Sequence, residues 1–175
     1  KSVLNAFGHT GSLSVAAARA GAETLTLDLS KGYLDWAREN LALNGFDPAE
    51  HDFIYGDALD WMARLAKKGR RFDRVLIDPP SFSTGRGKKK KQTWSVERDL
   101  ALLIGLAANL TTPGGELFVS TNLRRLTWPR FATMLQEGLK SAKRDGCVEP
   151  GTLPLDHRSG PKDPPYLKTA WVTLD

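Results

Sequence analysis

An apolar run broken only by Asn5 leads straight into a glycine turn: Val3-Leu4-Asn5-Ala6-Phe7-Gly8-His9-Thr10-Gly11-Ser12-Leu13-Ser14. Few arrangements constrain a fold as tightly, because strand, tight turn and helix follow within a dozen positions. A second apolar strand, Thr24-Leu25-Thr26-Leu27, ends in Asp28, and a third, Phe72 to Ile77, ends in Asp78-Pro79-Pro80. Strand and helix patterns alternate along the whole chain, which predicts an α/β fold: a mostly parallel sheet with helices on both faces. In such a sheet the carboxyl ends of the strands meet along one edge, so the turn, Asp28 and Asp78 belong to one crevice.

The pattern predicts strand one over residues 2–6 and a helix over 10–20 with Leu13, Ala16, Ala17 and Ala20 on its apolar face, stopped at Gly21. Ser30 suits the cap of a second helix carrying Leu34, Ala37, Leu41 and Leu43, which Asn44-Gly45 ends. Phe53-Ile54-Tyr55 is a short strand before Gly56-Asp57, and Ala58, Trp61, Met62 and Leu65 mark a third helix. Residues 79–93 read as a long loop, a length that in compact domains points to function or disorder. A helix over 95–110 shows Leu100, Leu103, Ile104 and Ala107 on one face, and Pro113-Gly114-Gly115 turns into the strand 116–121. The last helix spans 128–142 with Pro129 in its first turn, and the proline-rich remainder suggests an irregular loop within a hairpin closed by a strand over 167–174.

The first turn lacks the dinucleotide fingerprint. Gly8 and Gly11 stand three apart with His9 and Thr10 between, so a pyrophosphate would miss its three-glycine bed. A cofactor with ribose hydroxyls and no phosphates fits better, and S-adenosyl-L-methionine is such a molecule. Asp28 can accept from both hydroxyls of a ribose, or can instead cap its own strand end. Asp57 can accept from an adenine amino group, or can cap the helix that begins at Ala58. A nicotinamide dehydrogenase fits poorly, since no Tyr/Lys or His/Asp hydride-transfer set accompanies the turn.

Asp78-Pro79-Pro80-Ser81-Phe82 lies where substrate and cofactor should meet. Two prolines remove backbone donors and stiffen the turn, leaving outward carbonyls and the Asp78 carboxylate to hold the amino group of a planar base. Phe82 can stack on that ring. Just beyond, Arg86, Lys88, Lys89, Lys90 and Lys91 account for the whole net charge of +5. A basic segment between Phe82 and Trp94 suits a phosphate backbone, with an aromatic on each side for stacking; a solvated lysine tract is the alternative. With 175 residues the chain is one domain with a sizeable core. Cys147 is its only cysteine, which rules out an internal disulfide and argues against a cysteine-based zinc site; no metal is expected. No apolar run approaches a membrane span, the opening is a strand and not a signal peptide, and a cytoplasmic location is expected.

Taken together, these segments resemble class I S-adenosylmethionine-dependent methyltransferases, and within them the bacterial large-subunit ribosomal RNA methyltransferases. Val3 to Gly11 resembles their Val-Leu-Asn-x-Phe-x-x-Thr-Gly motif, and Asp28-Leu29-Ser30 their second motif. Ala37-Arg38-Glu39-Asn40 with Leu43-Asn44-Gly45, then Asp57, Asp78 to Phe82, and Tyr166-Leu167-Lys168 also match. The resemblance implies a Rossmann-like, seven-stranded, mostly parallel sheet with a C-terminal antiparallel hairpin. It implies that Asn5, Phe7, Gly8, Thr10, Gly11, Asp28, Leu29, Ser30, Asp57, Ala58 and Asp78 bind the cofactor, which leaves as S-adenosyl-L-homocysteine. Asp78, Pro79 and Pro80 would form the catalytic edge. Phe82, Lys88, Lys89, Lys90, Lys91, Asn122, Arg124, Tyr166 and Lys168 would face an RNA substrate.

Within that family the branches differ chemically. Methylation of cytosine C5 needs a cysteine nucleophile, and neither Asp78-Pro79-Pro80 nor Ser120-Thr121-Asn122 has one; Cys147 reads as a small buried apolar residue. Ser120-Thr121-Asn122-Leu123-Arg124 resembles instead the Ser-Asn-Asn-x-Arg segment of the guanine-N7 branch. Guanine N7 is nucleophilic unaided, so alignment alone suffices. Cytosine C5, exocyclic nitrogens, a small-molecule or protein substrate, and a non-catalytic RNA-binding accessory stay open. Family members carry a further domain ahead of this one, so the chain is expected to be the C-terminal catalytic part of a longer protein.

Overall fold

The computed structural model describes residues 1–84, 93–153 and 166–175. Seven strands form the main sheet: β1 (Ser2–Ala6), β2 (Glu23–Asp28), β3 (Asp52–Tyr55), β4 (Phe72–Ile77), β7 (Thr111–Thr121), β8 (Gly146–Pro150) and β9 (Lys168–Leu174). Their order is β3-β2-β1-β4-β7-β9-β8, with the first five parallel and β9 antiparallel to both neighbours. The chain leaves β1 toward β2 and β3, then crosses back to β4 on the other side. Strand order therefore reverses between β1 and β4, and a crevice opens at their carboxyl ends.

One face of the sheet carries the main core. Leu4, Val75, Ile77, Leu117, Val119 and Val172 project from alternate positions and are fully buried. Against them pack α3 (Ala58–Lys67), α4 (Val96–Leu110) and α5 (Trp128–Ser141). The expected α4 face holds: Leu100, Leu103, Ile104 and Ala107 have no exposed surface, and each large side chain there contributes about 1.5–3 kcal/mol. Gly138 lets α5 meet α4 closely, since a Cβ there would lie 2.6 Å from the Ala101 carbonyl oxygen. The opposite face receives α1 (Ser12–Arg19) and α2 (Lys31–Leu43), both over the β1–β2–β3 half.

Several expectations from periodicity need correction. Helix α1 buries Ser14 and Ala18, while Ala16 and Ala20 are exposed. Leu13 and Ala17 do pack against Val3, Ala22 and Leu76, and Ser14 is buried beside them because it bonds to two strand residues described below. Leu43 is 82% exposed, lying past the last turn that α2 packs. The expected long loop after Pro80 is partly an antiparallel ribbon of β5 (Phe82–Thr84) and β6 (Thr93–Ser95), so Trp94 stands on a strand. The turn at Pro113-Gly114-Gly115 lies within β7, where Phe72 pairs with Thr111 and Arg74 already pairs with Glu116. Cys147 is exposed on edge strand β8, not buried. The lysine run 88–91 and the prolines 154, 161, 164 and 165 lie outside the described residues.

Candidate active site

The first turn is built on alternating backbone signs. Phe7 (φ 61°), His9 (φ 47°) and Gly11 (φ 77°) are left-handed, a conformation costing roughly 1–2 kcal/mol at each non-glycine residue. Tertiary contacts hold it. The Gly8 amide donates to the Leu27 carbonyl at 3.0 Å, and the Gly11 amide to the Gly8 carbonyl at 2.8 Å. The Phe7 ring packs 5.6 Å from Trp94, and the His9 ring 4.1 Å from Tyr33. Gly8 is required for space: a Cβ there would come within 2.4 Å of Thr26 Cγ2.

Beneath the turn runs a buried polar chain. Asn5 Nδ2 donates to Ser14 Oγ at 2.9 Å, and Ser14 Oγ shares a hydrogen bond with Thr26 Oγ1 at 2.8 Å. Sequence reasoning missed Ser14 and Thr26; the signal was a polar residue at each apolar-facing position. Asn40 Nδ2 donates to the Thr10 carbonyl at 2.8 Å, and a Cβ on Gly11 would lie 2.7 Å from Ala37 Cβ. The Ala37 to Asn40 segment thus clamps the turn from behind. Thr10 and Gly11 shape the turn without lining the cavity.

Asp28 caps its own strand end. Its Oδ2 accepts from the His9 amide at 2.9 Å and its Oδ1 from the Ser30 amide at 2.8 Å. Each carboxylate oxygen has a second acceptor site, so capping leaves capacity for two hydroxyls. Ser30 caps α2 through Tyr33 and lies off the cavity, whereas Leu29 is half exposed at its wall. Asp57 caps α3 by accepting from the Asp60 amide at 3.1 Å, and lines the cavity beside Ala58.

On the other side, Ser120 Oγ donates to Asp78 Oδ1 at 2.5 Å, joining the ends of β4 and β7. Pro79 is buried and Pro80 exposed. The Pro80 carbonyl, expected to point outward for substrate, accepts instead from Trp94 Nε1 at 2.8 Å. Trp94 is accordingly buried and unavailable as a stacking platform on the far side of the basic run, while Phe82 is 62% exposed. Ser81 Oγ donates to Asn122 Oδ1 at 2.7 Å, fastening the Asp78 to Ser81 edge to the turn after β7.

Asn122 lines the cavity. Arg124 lies 5.0 Å over the Tyr166 ring, and Lys168, 9% exposed, donates from Nζ to backbone carbonyls. Helix α4 adds Arg98, Asp99 and Leu102, which the sequence reading did not single out. The hydrogen-bonded Arg98 guanidinium, 2.7 Å away, holds the Asp99 carboxyl below its usual value, and Asp99 also accepts from the Ser95 amide. The exposed apolar Leu102 was the available hint.

The cavity these parts enclose measures about 530 Å³ and lies at the β1–β4 crossing point, within the size range of small-molecule sites. A nucleoside cofactor fits on two structural grounds. The turn keeps its backbone close to the cavity through a glycine that admits no side chain. Carboxylates stand at the ends of β2, β3 and β4 where hydroxyls and amino groups would need acceptors.

The strand order, the reversed last strand and a carboxylate-lined crevice without a three-glycine bed define the Rossmann-like methyltransferase class. Residues 1–147 match the family model described as S-adenosylmethionine-dependent methyltransferase, and the chain belongs to that family, whose cofactor is S-adenosylmethionine. Proteins named ribosomal RNA large subunit methyltransferase K/L are similar along nearly the whole chain. The one from Allochromatium vinosum is 45% identical and that from Shewanella frigidimarina 38%, each over 98% of this chain and 22% of its own length. The chain thus spans about a fifth of these curated relatives. Among solved structures, a methyltransferase complexed with S-adenosylhomocysteine superposes with TM-score 0.87 at 29% identity, over 99% of this chain and 45% of its own. An S-adenosylmethionine-dependent methyltransferase from Agrobacterium tumefaciens gives 0.76 at 30%, over 99% and 55%. No helix among the described residues is long and apolar enough to cross a membrane.

Proposed function

We propose that this chain is the catalytic domain of a longer cytoplasmic enzyme that methylates guanine N7 in large-subunit ribosomal RNA. The relatives' names support the RNA class. One observation carries the choice of base: the sole cysteine stands on β8, away from the cavity, so no thiol is available to attack a pyrimidine ring.

S-adenosylmethionine supplies a methyl group on a sulfonium, a leaving group that needs no protonation. Asp28 would hold its ribose hydroxyls, Asp57 and Ala58 its adenine, with Leu29 against the ring; Asn5, Phe7 and Gly8 would shape the remaining wall. Asp78, braced by Ser120, accepts from the guanine amino group and orients the base. N7 offers a lone pair with no proton to remove, so no general base is required. The exposed Phe82, which does not line the cavity, stacks on a neighbouring base of the RNA, and Lys88 to Lys91 neutralise phosphates. Catalysis is then mainly alignment.

The test incubates the protein with methyl-labelled cofactor and unmodified large-subunit RNA, then separates the digested nucleosides. Label in 7-methylguanosine is expected. Label in 5-methylcytidine overturns the argument from the cysteine, and label in N2-methylguanosine overturns the choice of N7.

A further inference from the structure

Lys168 is the only ionisable side chain among the buried described residues, at 9% exposure. Its ammonium has no carboxylate partner in its described contacts. Instead Nζ lies 2.8 Å from the Tyr166 carbonyl oxygen, 2.9 Å from that of Leu123 and 3.5 Å from that of Arg124. Burial, then the charge of Arg124, pulls its pKa below the usual lysine value. An apolar side chain of similar length would fill the space without desolvating a charge, so packing alone does not account for a lysine here.

The acceptors explain the choice. Leu123 and Arg124 belong to the turn after β7, and Tyr166 to the approach to β9, so one ammonium ties two separate segments. The Leu123 carbonyl also accepts from the Leu126 amide at 3.1 Å, the bond that closes the turn. From that turn Asn122 reaches the cavity and the Ser81 hydroxyl, and Arg124 reaches the Tyr166 ring.

We infer that Lys168 is a positioning residue for the substrate side of the site: it holds the 122–126 turn so that Asn122 and the Arg124–Tyr166 pair present themselves to RNA. It touches no substrate itself, in contrast to the direct contact that the family resemblance implies. The inference rests on the reading of this cavity as an RNA methylation site.

The test compares Lys168→Met and Lys168→Arg with wild type in the full chain, reading methyl transfer, cofactor affinity by calorimetry and amide hydrogen exchange. Wild-type transfer to RNA is measured first; its absence counts against the proposed function, while the exchange measurement still judges Lys168. In Lys168→Met, kcat/KM for RNA is expected to fall about tenfold or more through KM, with cofactor Kd within about twofold. Exchange at the Leu126 amide should quicken about tenfold while β7 and β9 stay protected. Lys168→Arg, which keeps the charge and the donors, should recover most of the loss. On an Asn122→Ala/Arg124→Ala background, which removes both groups the turn presents, Lys168→Met should add less than about twofold. Failure to fold, faster exchange throughout β7 and β9, or an equal loss of cofactor affinity would reduce Lys168 to a structural role. A full independent loss on that background would restore a direct contact. Each of these outcomes, like unchanged kinetics, overturns the inference.

Discussion

Replacing Gly8 by alanine tests the architecture of the first turn. The new Cβ would stand 2.4 Å from Thr26 Cγ2, more than 1 Å inside an ordinary carbon–carbon contact. Gly8 lies outside the left-handed region, so the cost is steric and not conformational. Neither side yields easily. Gly8 is tied to the Leu27 carbonyl, and Thr26 is fully buried with a stiff χ1 and a hydrogen bond to Ser14. Overpacking of this kind costs about 1–3 kcal/mol, which for a domain of this size lowers Tm by roughly 2–12 °C. Thr26→Ser removes the clashing methyl and keeps the hydroxyl; alone it should cost about 0.5–1.5 kcal/mol, as loss of a buried methyl does. The double variant Gly8→Ala/Thr26→Ser should then be more stable than additivity allows, by about 1–2 kcal/mol, in urea denaturation. Cofactor affinity, measured by calorimetry, should drop in Gly8→Ala and recover in part in the double variant. Additivity within about 0.5 kcal/mol would show that the turn relaxes around the new methyl, and would refute the reasoning.

Other perturbations test separate links. Asp28→Asn should weaken cofactor binding about 10- to 100-fold, because an amide offers one acceptor oxygen where both carboxylate oxygens hold backbone amides; an unchanged Kd would remove Asp28 from the ribose. Trp94→Phe keeps the ring against Phe7 and loses the donor to Pro80, so denaturation should show a loss of about 0.5–1.5 kcal/mol, and no loss would make that bond incidental. Asp99 has a folded pKa below its usual 3.8, so the native state binds fewer protons than the unfolded one. Its contribution is present above that value and fades as pH falls through the lower folded pKa. Asp99→Asn should therefore flatten the acid limb of Tm against pH, and parallel limbs would contradict the sign. Replacing Lys88 to Lys91 by alanine should make the log–log salt slope of RNA affinity shallower by about 3, at roughly 0.7 per phosphate on a single strand; an unaltered slope would place the RNA elsewhere.

Strand boundaries at Ser2–Ala6 and Phe72–Ile77, and the buried face of α4, followed from period and apolarity, because water rejects such side chains whatever their partners. Asp28, Asp57 and Asp78 were legible as strand-end carboxylates, since parallel strands bring those ends to one edge. Half of the α1 face is legible, since Leu13 and Ala17 pack on the sheet, but the buried Ser14 takes its partners Asn5 and Thr26 from 9 and 12 positions away in the chain. Nothing local shows that Trp94, fourteen residues on, takes the Pro80 carbonyl that the stiff turn otherwise offers to substrate.

What the sequence determined by itself was local: where the backbone must be extended, helical or turned, and which residue types stand at each strand end. Which partner each polar group takes was decided by tertiary structure alone. Hydrogen bonds are short-ranged and directional, so the donors to Asp28, Asp78 and Pro80, and the acceptors around Lys168, exist only once the sheet has ordered its strands.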